Sequence, residues 1–214
     1  MTNRKKTLRP NGPTYAMEKD RGGLVCGVDE VGRGPWAGPV VTAAVILDPD
    51  NIPAGLNDSK KLSAKKRETL YPLIMDSAHV GVGMASEQEV DRHNILQATF
   101  LAMQRAVENL PVRPNHALVD GNRIPPLSCP ASPVIKGDSR SLSIAAASII
   151  AKVKRDFLMR KLAEIYPEYG WERNAGYGTH QHIQALKLVG PSRFHRISFA
   201  PIRNLIDQGI DIRD

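Results

Sequence analysis

From Leu24 onward the chain alternates short apolar runs with longer amphipathic stretches. Period-two or continuous apolar runs mark strands, and steps of three and four mark helices. Leu24-Val25-Cys26-Gly27-Val28 reads as a strand, and Pro39 to Leu47 (PVVTAAVIL) as a second, largely buried one. Leu56 to Leu62 is loop-like, and a helix is expected from Ser63 to about Ser77, shortened or kinked at Pro72. Val80 to Ala85 reads as a third strand. Ser86-Glu87-Gln88-Glu89 then forms a capping box, whose side chains satisfy the free amides of a helix start. In the helix it opens, Leu96, Phe100, Met103, Val107 and Leu110 share one face, which reads as core.

Ala117-Leu118-Val119 and Val134-Ile135-Lys136 read as further short strands, ending at Asp120-Gly121 and Gly137-Asp138. A long helix is expected from about Ser141 to Ile165, with Ala146, Ile150, Val153 and Phe157 as its apolar stripe. Lys152, Lys154, Arg155 and Arg160 fall on its polar face and read as solvated charge. Thr179 to Leu188 reads as a short helix stopped by Gly190-Pro191. Strands alternating with helices indicate an α/β sheet domain. Residues 1–20 carry no such periodicity and are expected to be a flexible basic arm with room for a short helical turn, leaving 21–214 as one domain.

Composition narrows the class without naming an activity. Hydrophobic residues make up 42% and charged residues 24%, ordinary for a globular chain. The 29 Lys and Arg exceed the 22 Asp and Glu, a formal charge of +7. That excess favours a polyanionic partner, although mildly basic solvated surfaces are also common. The two cysteines, Cys26 and Cys129, belong to no CxxC pair, which argues against a disulfide framework and a structural zinc site. No apolar run has signal-peptide or membrane-spanning length, so no membrane association and a cytoplasmic location are expected.

The placement of the acids changes the picture. Asp29, Asp120 and Asp138 fall at or just past apolar strands, with Glu30 beside the first. Neighbouring strands lie about 4.8 Å apart, so such ends can gather carboxylates into one cluster. Close carboxylates resist joint ionisation, which a divalent cation with a preference for oxygen ligands relieves. Two ions about 3.5–4 Å apart can activate water and stabilise a leaving oxygen in phosphodiester hydrolysis. An acid before glycine is equally at home as a turn residue. Asp58, next to Ser59-Lys60-Lys61, reads as a turn or helix-start residue, and the spacing alone identifies no substrate.

The residues resemble ribonuclease HII, the type 2 ribonuclease H family. The resemblance runs in order through Gly27-Val28-Asp29-Glu30-Val31-Gly32-Arg33-Gly34-Pro35, Asn57-Asp58-Ser59-Lys60-Lys61-Leu62, Val119-Asp120-Gly121-Asn122 and Lys136-Gly137-Asp138-Ser139. It continues at Ala145-Ala146-Ala147-Ser148-Ile149, Gly176-Tyr177-Gly178-Thr179 and His195-Arg196-Ile197-Ser198-Phe199, spanning about Gly27 to Phe199. It implies an RNase H-like fold: a mixed sheet flanked by helices, with a helical C-terminal portion. It also implies that Asp29, Glu30, Asp120 and Asp138 are catalytic carboxylates holding two Mn²⁺ or Mg²⁺ ions. The activity implied is endonucleolytic cutting of RNA in RNA–DNA hybrids, and 5′ of ribonucleotides within duplex DNA. The ends would be 3′-hydroxyl and 5′-phosphate, the role ribonucleotide removal in DNA replication and repair, and the working unit a monomer.

Gly32-Arg33-Gly34 has a physical case of its own. A protein tells RNA from DNA by the 2′-hydroxyl, and glycines let the backbone approach a sugar closely. The turn offers peptide groups for that hydroxyl and a cation for phosphate, although taken alone it is also an ordinary tight bend. By resemblance, Tyr177 packs on the deoxyribose beside an RNA–DNA junction; read alone, a tyrosine between glycines is a loop anchor. Lys60 and Lys61 are expected phosphate contacts. His180, His182 and His195 are open to reading as ligands or bases but are taken as structural, and His195-Arg196 as fold-supporting. The alternative function is a catalytically silent hybrid-binding module, against which four intact carboxylates argue.

Overall fold

A computed structural model describes residues 12–213. Its centre is a five-stranded mixed sheet in the order β3-β2-β1-β4-β5. The strands are β1 (Val25–Val31), β2 (Val40–Leu47), β3 (Ala78–Ala85), β4 (His116–Asp120) and β5 (Ala131–Val134). The pairs β1–β2 and β2–β3 are antiparallel, while β1–β4 and β4–β5 are parallel. The mixed sheet and flanking helices match the expected RNase H-like α/β class.

Both faces of the sheet are covered, which explains why β2 reads as a continuous apolar run and is buried throughout. Successive strand residues point to opposite faces. Ala43, Val45 and Leu47 thus pack with Leu70 and Ile74 of α2 (Ala64–Ser77) and with Ala146 and Ile150 of α4 (Leu142–Ile165). Ala44 and Ile46 face Met103 and Val107 of α3 (Glu87–Glu108). The start of α4 lies directly on β1: a Cβ at Gly27 would fall 2.2 Å from the Ile144 amide nitrogen. The C-terminal portion is helical, with α5 (Trp171–Asn174), α6 (His180–Val189) and α7 (Ala200–Asp207) around buried Tyr166, Tyr169 and Trp171. No helix among the described residues is long and apolar enough to cross a membrane.

Several expectations are corrected. Helix α2 runs through Pro72, which is exposed between the buried anchors Leu70 and Ile74, so water can take up the carbonyl that proline leaves unbonded. The capping box of α3 is present in both directions, Glu89 N–H to Ser86 Oγ at 3.2 Å and Ser86 N–H to Glu89 Oε2 at 2.9 Å. The helix nevertheless breaks at Asn94 (φ 66°), whose Oδ1 accepts from the amides of Leu96 and Gln97 and restarts it. The last strand lies at Ala131–Val134, earlier than expected, because Lys136 takes a left-handed conformation (φ 55°) that ends extended pairing. On α4, Ala146 and Ile150 of the expected stripe are buried, but Phe157 is exposed and Arg155 is buried, the reverse of what was expected for those two.

The short helical turn allowed for in the arm is present, but that part of the arm is not loose. Residues 1–11 lie outside the described residues, but Ala16–Arg21 forms α1. Its Glu18 is buried and accepts from Ser141 Oγ (2.6 Å) and Ser143 N–H (2.9 Å) at the start of α4. A carboxylate against those free amides complements the helix dipole, so α1 docks rather than remaining loose.

Candidate active site at the strand ends

Parallel pairing of β1 with β4, with Val28 opposite Val119, brings Asp29 and Asp120 to the same end of adjacent strands. The chain after β5 then turns back through a short 3₁₀ segment, Gly137–Ser139, whose Gly137 N–H donates to Asp120 Oδ1 at 2.6 Å. Asp138 follows immediately. Asp29 is buried, and its Oδ1 accepts from the Glu30 amide at 2.7 Å. Glu30 Oε1 pairs with Arg33 Nη1 at 3.3 Å.

These acids feel one another. Burial holds the Asp29 carboxyl well above the usual carboxylate range, and the charges of Glu30, Asp120 and Asp138 push it further. Burial also raises Glu30, an effect that Arg33 partly offsets and Asp120 reinforces. Asp138 is raised by burial, then by the charges of Asp58 and Asp120 and a hydrogen bond with Asp58. Among the described residues no three such side chains are already closed around a common metal position. One oxygen each of Asp29 and Asp120 is committed to a backbone amide, and Glu30 to Arg33. The donor set still fits hard divalent cations, being all oxygen, partly desolvated and mutually repulsive.

Asp58 does more than the sequence suggested. It caps a 3₁₀ turn at Ser59–Lys61, as expected, through Lys60 N–H to Oδ1 at 2.9 Å. Its carboxyl also meets Asp138, making it a fifth acid at the rim. Lys60 lies close enough to draw down both Glu30 and Asp138, while Lys61 Nζ, at 3.9 Å from Asp58, is otherwise exposed. A cavity of about 390 Å³ opens beside the acids, lined by Glu30, Arg33, Phe100, Asp120, Asn122 and Arg123.

The Gly32-Arg33-Gly34 turn is held from beneath by two buried arginines. Arg196 donates to the carbonyls of Gly32, Arg33, Pro35 and Gly38. Arg155 donates to those of Ala37, Pro39 and Ala175. Burial lowers Arg155 to about 10 and Arg196 to about 9, so both stay cationic near neutral pH. Buried Glu87 offsets part of their charge. Gly32 has no room for a side chain: φ is +96°, and a Cβ would lie 2.2 Å from Arg155 Nε.

The second loop meets the first. Trp36 N–H donates to Gly176 O at 2.8 Å, and a Cβ built on Gly34 would sit 3.4 Å from the ring of Tyr177. Tyr177 itself is half exposed. The loop carrying it is tied down by His182, whose Nδ1 lies 3.0 Å from Tyr177 O. His182 Nε2 is 2.9 Å from His195 Nε2, and His195 Nδ1 accepts from Ser192 N–H at 2.8 Å. That last bond places the His195 proton on Nε2, donating to His182, which in turn donates from Nδ1 to Tyr177 O. Burial and the His182 charge lower His195 to about 3, and burial lowers His182. Both are neutral structural residues, as expected for them.

The structure therefore gathers Asp29, Glu30, Asp120 and Asp138 at one edge, with Gly32, Arg33, Gly34, Lys60 and Tyr177 around them. Lys61 points towards Asp58 rather than into the cluster. Sequence reasoning missed the placement of Asp58 and the burial of Arg155. A signal for Arg155 existed: Ala147, Ala151, Arg155, Met159 and Ala163 recur every four residues, and all are buried.

Comparison with known proteins shows the family. The family model described as Ribonuclease HII matches residues 26–202. The ribonuclease HII of Jannaschia sp. is 59% identical over 196 residues, covering 91% of this chain and 98% of that protein. That of Paramagnetospirillum magneticum is 59% identical over 194 residues, covering 89% and 96%. The crystal structure of the ribonuclease H2 from Pyrococcus horikoshii OT3 superposes with a TM-score of 0.70 at 26% identity, covering 87% of this chain and 98% of that one.

Proposed function

The chain belongs to the ribonuclease HII family, a ribonuclease H enzyme, and from that premise we propose how it cuts and what it selects. It hydrolyses the RNA strand of RNA–DNA hybrids and nicks duplex DNA on the 5′ side of an embedded ribonucleotide, leaving 3′-hydroxyl and 5′-phosphate ends. Its role is ribonucleotide removal in DNA replication and repair. The observation carrying this reading is that one turn adjoins both kinds of group: Arg33 pairs with Glu30, and the ring of Tyr177 lies 3.4 Å from where a Cβ on Gly34 would be.

Asp29, Glu30, Asp120 and Asp138 are the residues to hold two Mg²⁺ or Mn²⁺ ions. When bound, such ions lower the pKa of attacking water and stabilise the leaving oxygen. The chain's own groups bind and orient the substrate. The peptide groups of Gly32–Gly34 approach the 2′-hydroxyl, Arg33 and Lys60 neutralise phosphate charge, and Lys61 contributes from the exposed rim. Tyr177 packs on the neighbouring deoxyribose, where a 2′-hydroxyl would crowd the ring. The working unit in this reading is a monomer acting in the cytoplasm.

The test uses three duplexes with Mg²⁺ or Mn²⁺: DNA with one ribonucleotide, an RNA/DNA hybrid, and DNA alone. Metal-dependent cutting of the first two, 5′ of the ribonucleotide in the first, is expected, with the third left intact. Binding of the first two without cleavage would instead establish the catalytically silent module.

A further inference from the structure

The two loops that read sugars in this function are separate in sequence, and one side chain spans them. Arg155, on α4, donates from Nε to Pro39 O (2.9 Å) and from Nη2 to Ala37 O (3.0 Å), both in the segment following Gly32-Arg33-Gly34. Its Nη1 donates to Ala175 O (2.9 Å), two residues before Tyr177. Arg155 also occupies the space a side chain at Gly32 would need. A planar guanidinium fixes several acceptors in one rigid fork, which the point charge of a lysine cannot reproduce.

We propose that Arg155 is the positioning residue that sets the spacing between the 2′-hydroxyl-reading turn and Tyr177, and thereby the preference for a single ribonucleotide over a continuous RNA strand. Arg155 is almost wholly buried, so it acts through these loops and not on substrate. Arg196 serves the first loop only, since its side-chain bonds go to Gly32, Arg33, Pro35 and Gly38. The Trp36–Gly176 backbone bond survives loss of the fork and keeps the loops in contact. What the fork adds is their relative placement. At a junction both sugars must be read together, and misplacement of about 1 Å can cost on the order of a hundredfold in rate. Within long RNA no deoxyribose sits beside the cut, so Tyr177 placement counts for less.

The proposal rests on the function assigned to Tyr177 above, and the experiment separates the two. Single-turnover rates are measured on the single-ribonucleotide duplex and on the RNA/DNA hybrid. The proteins are the parent, Tyr177→Ala, Arg155→Lys, Arg155→Met and the Arg155→Lys/Tyr177→Ala double variant, with thermal unfolding of each. Both Arg155 variants are expected to lose about tenfold or more on the single ribonucleotide relative to the hybrid. The double variant should show no further change in that ratio beyond Tyr177→Ala. Equal losses on both substrates, or ratio changes that multiply in the double variant, would overturn the coupling and leave Arg155 a structural residue. If Arg155→Met fails to fold, Arg155→Lys, which keeps the charge and stem, decides the matter alone. An unchanged ratio in Tyr177→Ala would refute the Tyr177 assignment instead.

Discussion

Acid should weaken this fold through His195, and the size of the effect follows from its burial. The ring is 1% exposed, accepts from Ser192 N–H at Nδ1, and faces His182 at Nε2. A second proton on His195 Nδ1 would face the Ser192 N–H donor at 2.8 Å, relieved only in part by the Ser192 carbonyl at 3.2 Å, and on His182 it would set two donors 2.9 Å apart. His195 is held at about 3 in the fold against an ordinary value of 6.5. A depressed histidine contributes stability that is whole above its unfolded pKa and is lost as pH falls towards the folded one. By about pH 5 the loss is roughly 2 kcal/mol, at about 1.4 kcal/mol per pH unit. For a chain of this size that corresponds to a fall in Tm of roughly 4–8 °C.

The acidic cluster acts with the opposite sign. Raised carboxylates cost the fold stability when ionised, so their protonation on acidification is favourable. Comparison with His195→Gln cancels that contribution, because the variant keeps the acids and removes the titrating ring. Urea unfolding without metal at about pH 7.5 and about pH 5 should show the parent losing about 2 kcal/mol more than the variant. Identical pH dependence in the two proteins would mean that His195 is not held neutral by the fold, and the reasoning would fail.

The other predictions concern charge at the site and the clamp beneath it. Asp29→Asn removes a buried carboxylate whose ionised form the fold disfavours, so the metal-free variant should melt no lower than the parent while cleavage is abolished. A clear drop in Tm, or retained activity, would contradict the assigned role. Saturating Mg²⁺ or Mn²⁺ should raise the parent's Tm, by about 2.7 kcal/mol of stability at a hundred times Kd, and raise that of Asp29→Asn less. Equal shifts in scanning calorimetry would place the ion elsewhere. Arg196→Met strips four carbonyls, three of them in buried residues, of their donor and should cost about 3–5 kcal/mol in urea unfolding; a change within about 0.5 kcal/mol would show the clamp to be dispensable.

Much of this architecture is legible locally. The period-two and continuous apolar runs of β1, β2 and β4, and the capping box of α3, depend on neighbours a few residues away, and those elements stand where the pattern puts them. The acids were legible as residues near strand ends for the same reason, although β1 runs on through Asp29 and Glu30 to Val31 instead of stopping at Val28, and the motif order from Gly27 to Phe199 was sufficient to recognise the family. What the sequence could not determine by itself were contacts across the chain. Pro72 leaves α2 unbroken because flanking residues anchor it to the core, whereas the break of α3 at Asn94 is local, made by its own side chain on the amides of Leu96 and Gln97. Asp58 reads as a turn residue until folding brings it to Asp138, 80 positions away. Arg155 reads as solvated charge until the carbonyls of two distant loops surround it. Periodicity reports which face of a helix is buried, whereas the hydrogen-bonding partners that make a buried charge affordable exist only in the tertiary fold.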